Sequence, residues 1–577
     1  MSSPAGGTEL GADYTDWNEE IMSLGFLDSL LPEPTGPAMA PRDATPILQP
    51  AIPISLVAGD SVKDYGADPQ GSSVVTGWHV LSKESFEFLL NFEMGGGINR
   101  VFNFMTSLEQ NYQILNFESL LPSTNSLYDG LLTDRDFWKS RESSSSTKTV
   151  EWLFDPLLPQ AKAIWEKLLK KPQAHENGIL FDDHDLNFND RCIEFFNPRN
   201  LRRLLDLYWK RWHTHCPIIH ESSFDLSQVP TDMVMVLSLL GAFVSFDKQE
   251  AVKARQWLDA TESLLFSTPW LSRHDFARQM EPPLTRETKL RLMQTALLVC
   301  VLQTWEGTES SRSRIRELRY PHLVQASREV DCLYPDIEHK MSLHSWKEFI
   351  LDEQVIRTKS FIFLLDSAFS IFHNMPPHIT VSDLAFPFPY PDPCFRVHNG
   401  EAFWKAVQQH SPDYPKIRRT HICDAVKMLC DTEALNTLSC PPEMPALNGF
   451  ILISVCQEMS CFLSPTTVAS LRRSLDRWLR MWKSGCPFNS HSSSEIYSSL
   501  DQPSASTGFT RHSYEYYCLA LAKLEIMGKS PEQRHILLAN GLRKGNVKDL
   551  IWNLKRMSSA YVDYSATGDS HPQTTAD

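Results

Sequence analysis

Leu201, Leu204, Leu205, Tyr208 and Trp212 stand at i, i+3, i+4, i+7 and i+11, a spacing that places all five on one face of an α-helix. The run carries its own punctuation. Asn197 is a good N-cap, Pro198 suits the first helical position, and Pro217 stops the run. The same logic recurs downstream. Met233 to Phe246 is apolar all round and reads as a buried helix, while Trp257, Leu258, Thr261, Leu264 and Leu265 repeat the one-faced pattern. Leu290 to Trp305 and Phe349 to Phe372 give two long helices, and the stretch from His512 to Tyr564 gives further ones. No alternating run of comparable length competes with them, so the expected fold class is all-α, a multi-helix domain. The uncharged apolar run Met233 to Phe246 falls short of the roughly 18 residues that suggest a membrane span, so no membrane partner is expected. Met1 is followed by Ser2, Ser3 and Pro4, without the basic and apolar regions of a secretory signal, so the chain is expected to stay inside the cell.

Charge separates the N-terminal part from the rest. The chain of 577 residues has a formal net charge of -15, and its first 75 residues hold many acids against only Arg42 and Lys63. Seven prolines between Pro32 and Pro53 break any regular element there, so the segment is expected to be disordered. Within it, Trp17, Ile21, Leu24, Phe26, Leu27, Leu30 and Leu31 are interleaved with Asp16, Glu19, Glu20 and Asp28. Acidic charge keeps such bulky groups solvated and available to a partner's groove, the composition of an activation segment that folds on binding. The alternative is a capping helix of the folded region. Serine runs at Ser143 to Ser146 and Ser490 to Gly508 mark linkers. The expected division is 1–77 disordered and acidic, 78–148 a joining region with short helices, and 149–489 the main helical domain. It continues with 490–511 as linker, 512–564 as C-terminal helices and 565–577 as a disordered tail.

Metal and catalytic chemistry finds little purchase. The chain has 12 cysteines and no CxxC pair, so neither a binuclear zinc cluster nor a two-cysteine two-histidine finger can be built from it. His213, His215, Cys216 and His220 are suitable zinc ligands crowded in WHTHCPIIH, but Pro217 redirects the chain and no second ligand pair flanks them, so a packing role is expected. Asp182, Asp183 and Asp185 in FDDHD, with Asn189, Asp190 and Glu194, raise the alternative of an all-α magnesium enzyme of terpene-cyclase type. Leu186 stands where that motif needs another aspartate, and a solvated acidic loop is the favoured reading. Gly95 to Gly97 lacks the Lys-Ser/Thr pair of a P-loop, and neither GxSxG nor HExxH occurs. No catalytic residue, metal site or cofactor is therefore assigned. Arg199, Arg202 and Arg203 on one helix, and Arg312, Arg314, Arg316 and Arg319 in SRSRIRELRY, form candidate basic patches. Basic helix faces are usually solvated or paired, and Glu306, Glu309 and Glu317 neighbour the second patch.

Several segments in order resemble one known family. NLRRLLDLYWKRWHTHCPIIHESSFD (Asn200 to Asp225), the apolar helix ending in Gly241-Ala242, LLVCVLQTWEG (Leu297 to Gly307) and the long segment from Glu353 to Pro389 resemble the fungal-specific transcription factor domain. This is the middle homology region of fungal zinc-cluster and zinc-finger regulators. Glu353, Arg357, Asp366, Pro376, Pro377 and Pro389 match the family's order of Glu, Arg, aromatic helix, Asp, Pro-rich turn and strand-like tail, and Phe403-Trp404 resembles its next aromatic helix. FEFLLNFEMGGGINRVFNF and EWLFDPLLPQAKAIWEKL resemble the region that joins two-cysteine two-histidine fingers to this domain. The resemblance implies a nuclear transcriptional regulator, with a biosynthetic gene cluster as one expected target, that engages the transcription machinery or a coactivator and responds to a small effector or a partner. With no zinc module in the sequence, the expectation is that the chain reaches DNA through a DNA-bound partner, or that an upstream finger-encoding exon is missing from it. Glu353 and Arg357, four apart with Glu first, are expected to form an ion pair.

Overall fold

Four helices that are apolar around most of their circumference make the interior, as such helices must. In the computed structural model these span Thr231–Phe243, Arg286–Glu306, Leu343–His373 and Ala446–Met459. The structure describes residues 98, 154–169, 187–272, 283–333, 342–373, 375–410, 420–430, 445–460, 465–485, 509–510 and 513–527. All of them fall in one compact unit, Val80–Asp577. The candidate activation segment, residues 78–148 apart from Ile98, the FDDHD aspartates, the serine-rich stretch 490–508, and residues 528–577 with the rest of the expected C-terminal helices and tail lie outside the described residues.

The helices run in this order: α1 Leu158–Leu169, α2 Phe188–Phe195, α3 Pro198–Leu207, α4 Thr231–Phe243, α5 Lys248–Arg255 and α6 Leu258–Phe266. There follow α7 Arg286–Glu306, α8 Glu309–Arg314, α9 Tyr320–Arg328, α10 Leu343–His373, α11 Asp392–Phe395 and α12 Gly400–His410. The last are α13 Ile422–Cys430, α14 Ala446–Met459, α15 Pro465–Gly485 and α16 Ser513–Met527. Among the described residues there is no strand, only an isolated antiparallel bridge between Pro387 and His421. The fold class is all-α.

At α3, Asn197 Oδ1 accepts the Asn200 N–H at 2.9 Å with Pro198 in the first turn. Leu201, Leu204 and Leu205 face inward. The helix does not continue regularly to Trp212: Tyr208–Trp212 is one wider π turn, followed by a 3-10 turn at His213–His215. α4 packs on α3 so closely at Gly241 that a Cβ there would lie 1.9 Å from the Leu204 carbonyl oxygen. Met233 to Phe243 are all buried, but α4 ends there, and Phe246 is 77% exposed under the Arg211 guanidinium, 3.8 Å from its ring centre. The apolar run thus outlasts its helix by one turn.

α7 packs on α4, α6, α9 and α10, and α10 passes on to α14, which is flanked by α15 and α16. At the far end Trp478 stacks between Trp482 and Tyr517, and its indole N–H donates to the Gly449 carbonyl at 2.8 Å. Most of α7 and most of α10 beyond Glu348 are buried, yet both carry polar residues inward: Gln294, Gln303 and Glu306 on α7, and Asp352, Glu353, Gln354, Arg357 and Asp366 on α10. Buried polar groups need partners, and those partners define the candidate site.

Candidate functional site

Arg357 has no solvent exposure and sits midway along the 31-residue α10. Its Nε lies 3.1 Å from Glu353 Oε1, one turn earlier on the same helix. One terminal nitrogen donates to Asp392 Oδ1 at 2.8 Å and to the Pro217 carbonyl at 3.3 Å, and the other donates to the Tyr390 carbonyl at 2.6 Å. The guanidinium also lies 4.1 Å from the centre of the Phe395 ring. Glu353 Oε1 accepts the Tyr390 N–H at 2.8 Å as well. Burial pulls the guanidinium pKa down, but Asp392 and Glu353 outweigh it and hold it above the ordinary value. One side chain therefore fastens three segments: α10, the turn at Pro217 and the extended stretch before α11.

Neighbouring positions on α10 extend the lattice. Gln354 Oε1 accepts the His220 N–H and an Arg291 nitrogen, both at 3.2 Å, and Gln294 donates to the Ile218 carbonyl at 2.7 Å. Asp352 accepts from Arg286 at 2.5 Å and from the Leu333 N–H at 2.8 Å. One helical end further on, Asp366 accepts the N–H groups of His378 and Ile379, at 2.7 and 2.8 Å, and closes the turn after the Pro376-Pro377 pair. Tyr390, Phe349, Phe403 and Trp346 pack as a cluster of tilted rings beside Arg357. This places the Phe403-Trp404 segment, in α12, against the same helix face.

A second polar cluster surrounds Glu262 on α6. Arg314 donates from Nε to Glu262 at 2.7 Å and from a terminal nitrogen to Asp259 at 2.8 Å, while Arg319 Nε donates to Glu262 at 2.9 Å. Hydrogen bonding to Glu262 holds Arg314 above its ordinary pKa. Gln303 and Ser311 complete the shell on Glu262 and Asp259. Arg312 and Arg316 both reach Glu309. Each arginine of this run is thus paired internally. On α3, Arg202 pairs with Asp155 at 2.8 Å and Arg203 with Glu250, while Arg199 is exposed. Glu306, at the C-terminal end of α7, accepts from Arg255 at 2.6 Å and from the Ile98 N–H at 2.5 Å. Burial holds its carboxyl above the usual value against the pull of Arg255.

The histidine-rich stretch does not converge. His213 Nε2 is 2.8 Å from the Ile219 carbonyl, whereas His220 contacts Ser223 Oγ and the Val397 carbonyl, both at 2.9 Å, and His215 packs on Trp212 and Phe509. Burial lowers the pKa of both His213 and His220 to about 4, so they are neutral at physiological pH. Among the described residues the grouping with metal-ligand potential is instead His421, Cys423 and Asp424 at the start of α13, where Lys427 already pairs with Asp424 at 3.3 Å. Of the acidic loop, Asn189, Asp190 and Glu194 are exposed on α2, and Glu194 pairs with Lys253. Between α9, α10 and the 3-10 turn Val381–Leu384 lies a recess of about 340 Å³, lined by Val324, Ser327, Arg328, Lys359, Ile379, Asp383, Leu384 and Phe386. Sequence reasoning does not find it, because its walls come from three separated segments.

Residues 205–480 match the fungal specific transcription factor domain family. Among curated proteins, the chain is 28% identical over 424 residues to the transcription factor verF of Penicillium polonicum, covering 69% of this chain and 57% of that protein. It is 22% identical over 322 residues to the zinc finger protein zas1 of Schizosaccharomyces pombe, covering 54% of this chain and 33% of that protein. The chain thus spans about half the length, or less, of the curated relatives it matches. No solved structure matches it.

Proposed function

We propose that this chain, whose residues 205–480 belong to the fungal specific transcription factor domain family, is a fungal regulator of RNA polymerase II genes acting in the nucleus, with a biosynthetic gene cluster as its target. The family match carries the reading. The lattice around Arg357 supports it, because Glu353, Arg357 and Asp366 are the residues that tie α10 to the three loops around it. Such a lattice suits a regulatory domain: it fixes one arrangement of several segments through polar contacts that are strong only while complete.

In this account the acidic segment with Trp17, Ile21, Leu24, Phe26, Leu27, Leu30 and Leu31 engages a coactivator or the transcription machinery, folding as it binds. The helical domain controls that engagement in response to a partner or small effector. Sequence-specific contact with DNA is supplied by a DNA-bound partner regulator, or by a finger module encoded upstream of Met1. Over-expression of the chain in its host, read by transcript sequencing, tests the proposal. A restricted set of genes, contiguous on a chromosome, is expected to change; an unaltered transcript profile refutes it.

A further inference from the structure

We propose that the recess between α9, α10 and the turn Val381–Leu384 is a binding site for a small organic anion, a carboxylate on a compact apolar body. The argument begins with Lys359. It lies on α10 two residues from Arg357, is only partly exposed, and among the described residues its ammonium has no hydrogen bond or ion pair. Its Nζ lies over the Phe386 ring, 5.8 Å from the centroid. The one acid in the lining is already engaged. Asp383 accepts from Nε and one terminal nitrogen of Arg328, at 2.8 and 3.0 Å, and also accepts the Thr380 N–H at 2.8 Å. Burial pushes the Asp383 carboxyl up, yet these bonds outweigh it and hold the group ionised. Among the lining side chains Arg328 and Asp383 offset each other, with Asp366 also acting on Arg328, which leaves Lys359 as the lining cation without a carboxylate partner among the described residues.

The remaining lining sets the body of the ligand. Val324, Ile379, Leu384 and Phe386 are buried apolar residues, and the Ser327 hydroxyl donates to the Val324 carbonyl at 2.7 Å. A volume of about 340 Å³ is near the lower end of small-molecule sites, which run from roughly 300 to 1,000 Å³. It suits a body the size of a six-carbon chain or one aromatic ring. A carboxylate is favoured because a charge-assisted bond to a half-buried ammonium is stronger than a neutral one. Binding as such is independent of the transcriptional reading; only its use as an effector signal rests on that reading. The position fits such use, since a ligand here touches α10 and the turn that follows Asp366.

Ligand-observed NMR titration of the full chain with hexanoate, benzoate and 3-phenylpropionate, each beside its primary amide, tests the site. At least one acid is expected to bind, with its amide about tenfold weaker, because the charged hydrogen bond is lost. Lys359→Met should weaken that acid about tenfold, Lys359→Arg should retain most of the affinity, and Lys347→Met, at an exposed position on α10, should change nothing. A melting curve of Lys359→Met matching that of the parent excludes misfolding as the cause, and Lys359→Arg remains informative should the methionine variant misfold. Equal binding of acid and amide, binding unaffected by Lys359→Met, or no binding by any of the three acids would each overturn the proposal. An unchanged transcript profile together with acid binding would sink the transcriptional reading alone.

Discussion

Truncating Arg357 to alanine removes four hydrogen-bond donations and a ring contact at once, at a residue with no solvent exposure. The damage lies in what is left behind. Glu353 is buried too, so its carboxylate loses its counter-charge in a medium where it cannot be hydrated, and the Tyr390 carbonyl loses a partner. Breaking a buried pair by removing one member costs about 3 to 5 kcal/mol. For a domain of this size, each kcal/mol moves Tm by roughly 2 to 4 °C, so Arg357→Ala should melt on the order of 10 °C lower. Circular dichroism melts and urea titrations of the parent, Arg357→Ala, Glu353→Gln and the double variant measure it. The double variant should lose less than the sum of the two singles, because neutralising Glu353 removes the stranded charge. An Arg357→Ala chain melting within about 1 °C of the parent would refute the lattice as a source of stability.

Gly241→Ala places a Cβ 1.9 Å from the Leu204 carbonyl oxygen, backbone against backbone, so α4 must shift away from α3; a loss of about 1 to 3 kcal/mol is expected in urea titration. His213 and His220 are held neutral by burial with pKa values of about 4, while the unfolded chain takes up their protons near pH 6.5. The unfolded state therefore binds more protons between pH 6.5 and 4, so stability is full above that window and falls as the pH drops through it. Urea midpoints that stay level from pH 7 to pH 5 would contradict this assignment. Because Arg312, Arg314, Arg316 and Arg319 are each already paired with Glu309, Glu262 or Asp259, a gel shift with the purified chain at physiological salt should show no sequence-selective complex, and mutating these arginines should change folding before it changes DNA affinity.

Much of the helical framework is readable in the order of residues, because it depends on short-range periodicity. The faces of α3 and the all-round burial of α4 follow from spacing alone, whereas α7 (21 residues) and α10 (31 residues) are longer than the spans Leu290 to Trp305 and Phe349 to Phe372 that spacing predicts, because their first turns are largely polar. The periodic reading also departs from the structure at two helix ends. The π turn at Tyr208–Trp212 replaces the last regular turn of α3, and Phe246 leaves the core once α4 ends. The i, i+4 spacing of Glu353 and Arg357 can be read locally, whereas the partners Asp392, Tyr390 and Pro217 lie 35, 33 and 140 residues away and leave no local signal. The same holds for Arg314, whose partner Glu262 is 52 residues distant, so a run that reads as basic in sequence is paired in space. Lys359 shows the converse. It looks like any helix lysine until the fold brings Val324, Ile379 and Phe386 around it.

The claim that this chain acts on transcription without reading DNA itself is tested most directly by tethering. Residues 1–577, and separately residues 1–60, are fused to a heterologous DNA-binding domain and brought to a reporter promoter in a fungal host. The account predicts that residues 1–60 alone raise reporter output above the bare DNA-binding domain, that replacing Trp17, Phe26 and Leu27 with alanine abolishes the rise, and that the full chain changes output only when tethered. Reporter output indistinguishable from the bare domain for both fusions, or an equal effect from the untethered chain, would contradict it.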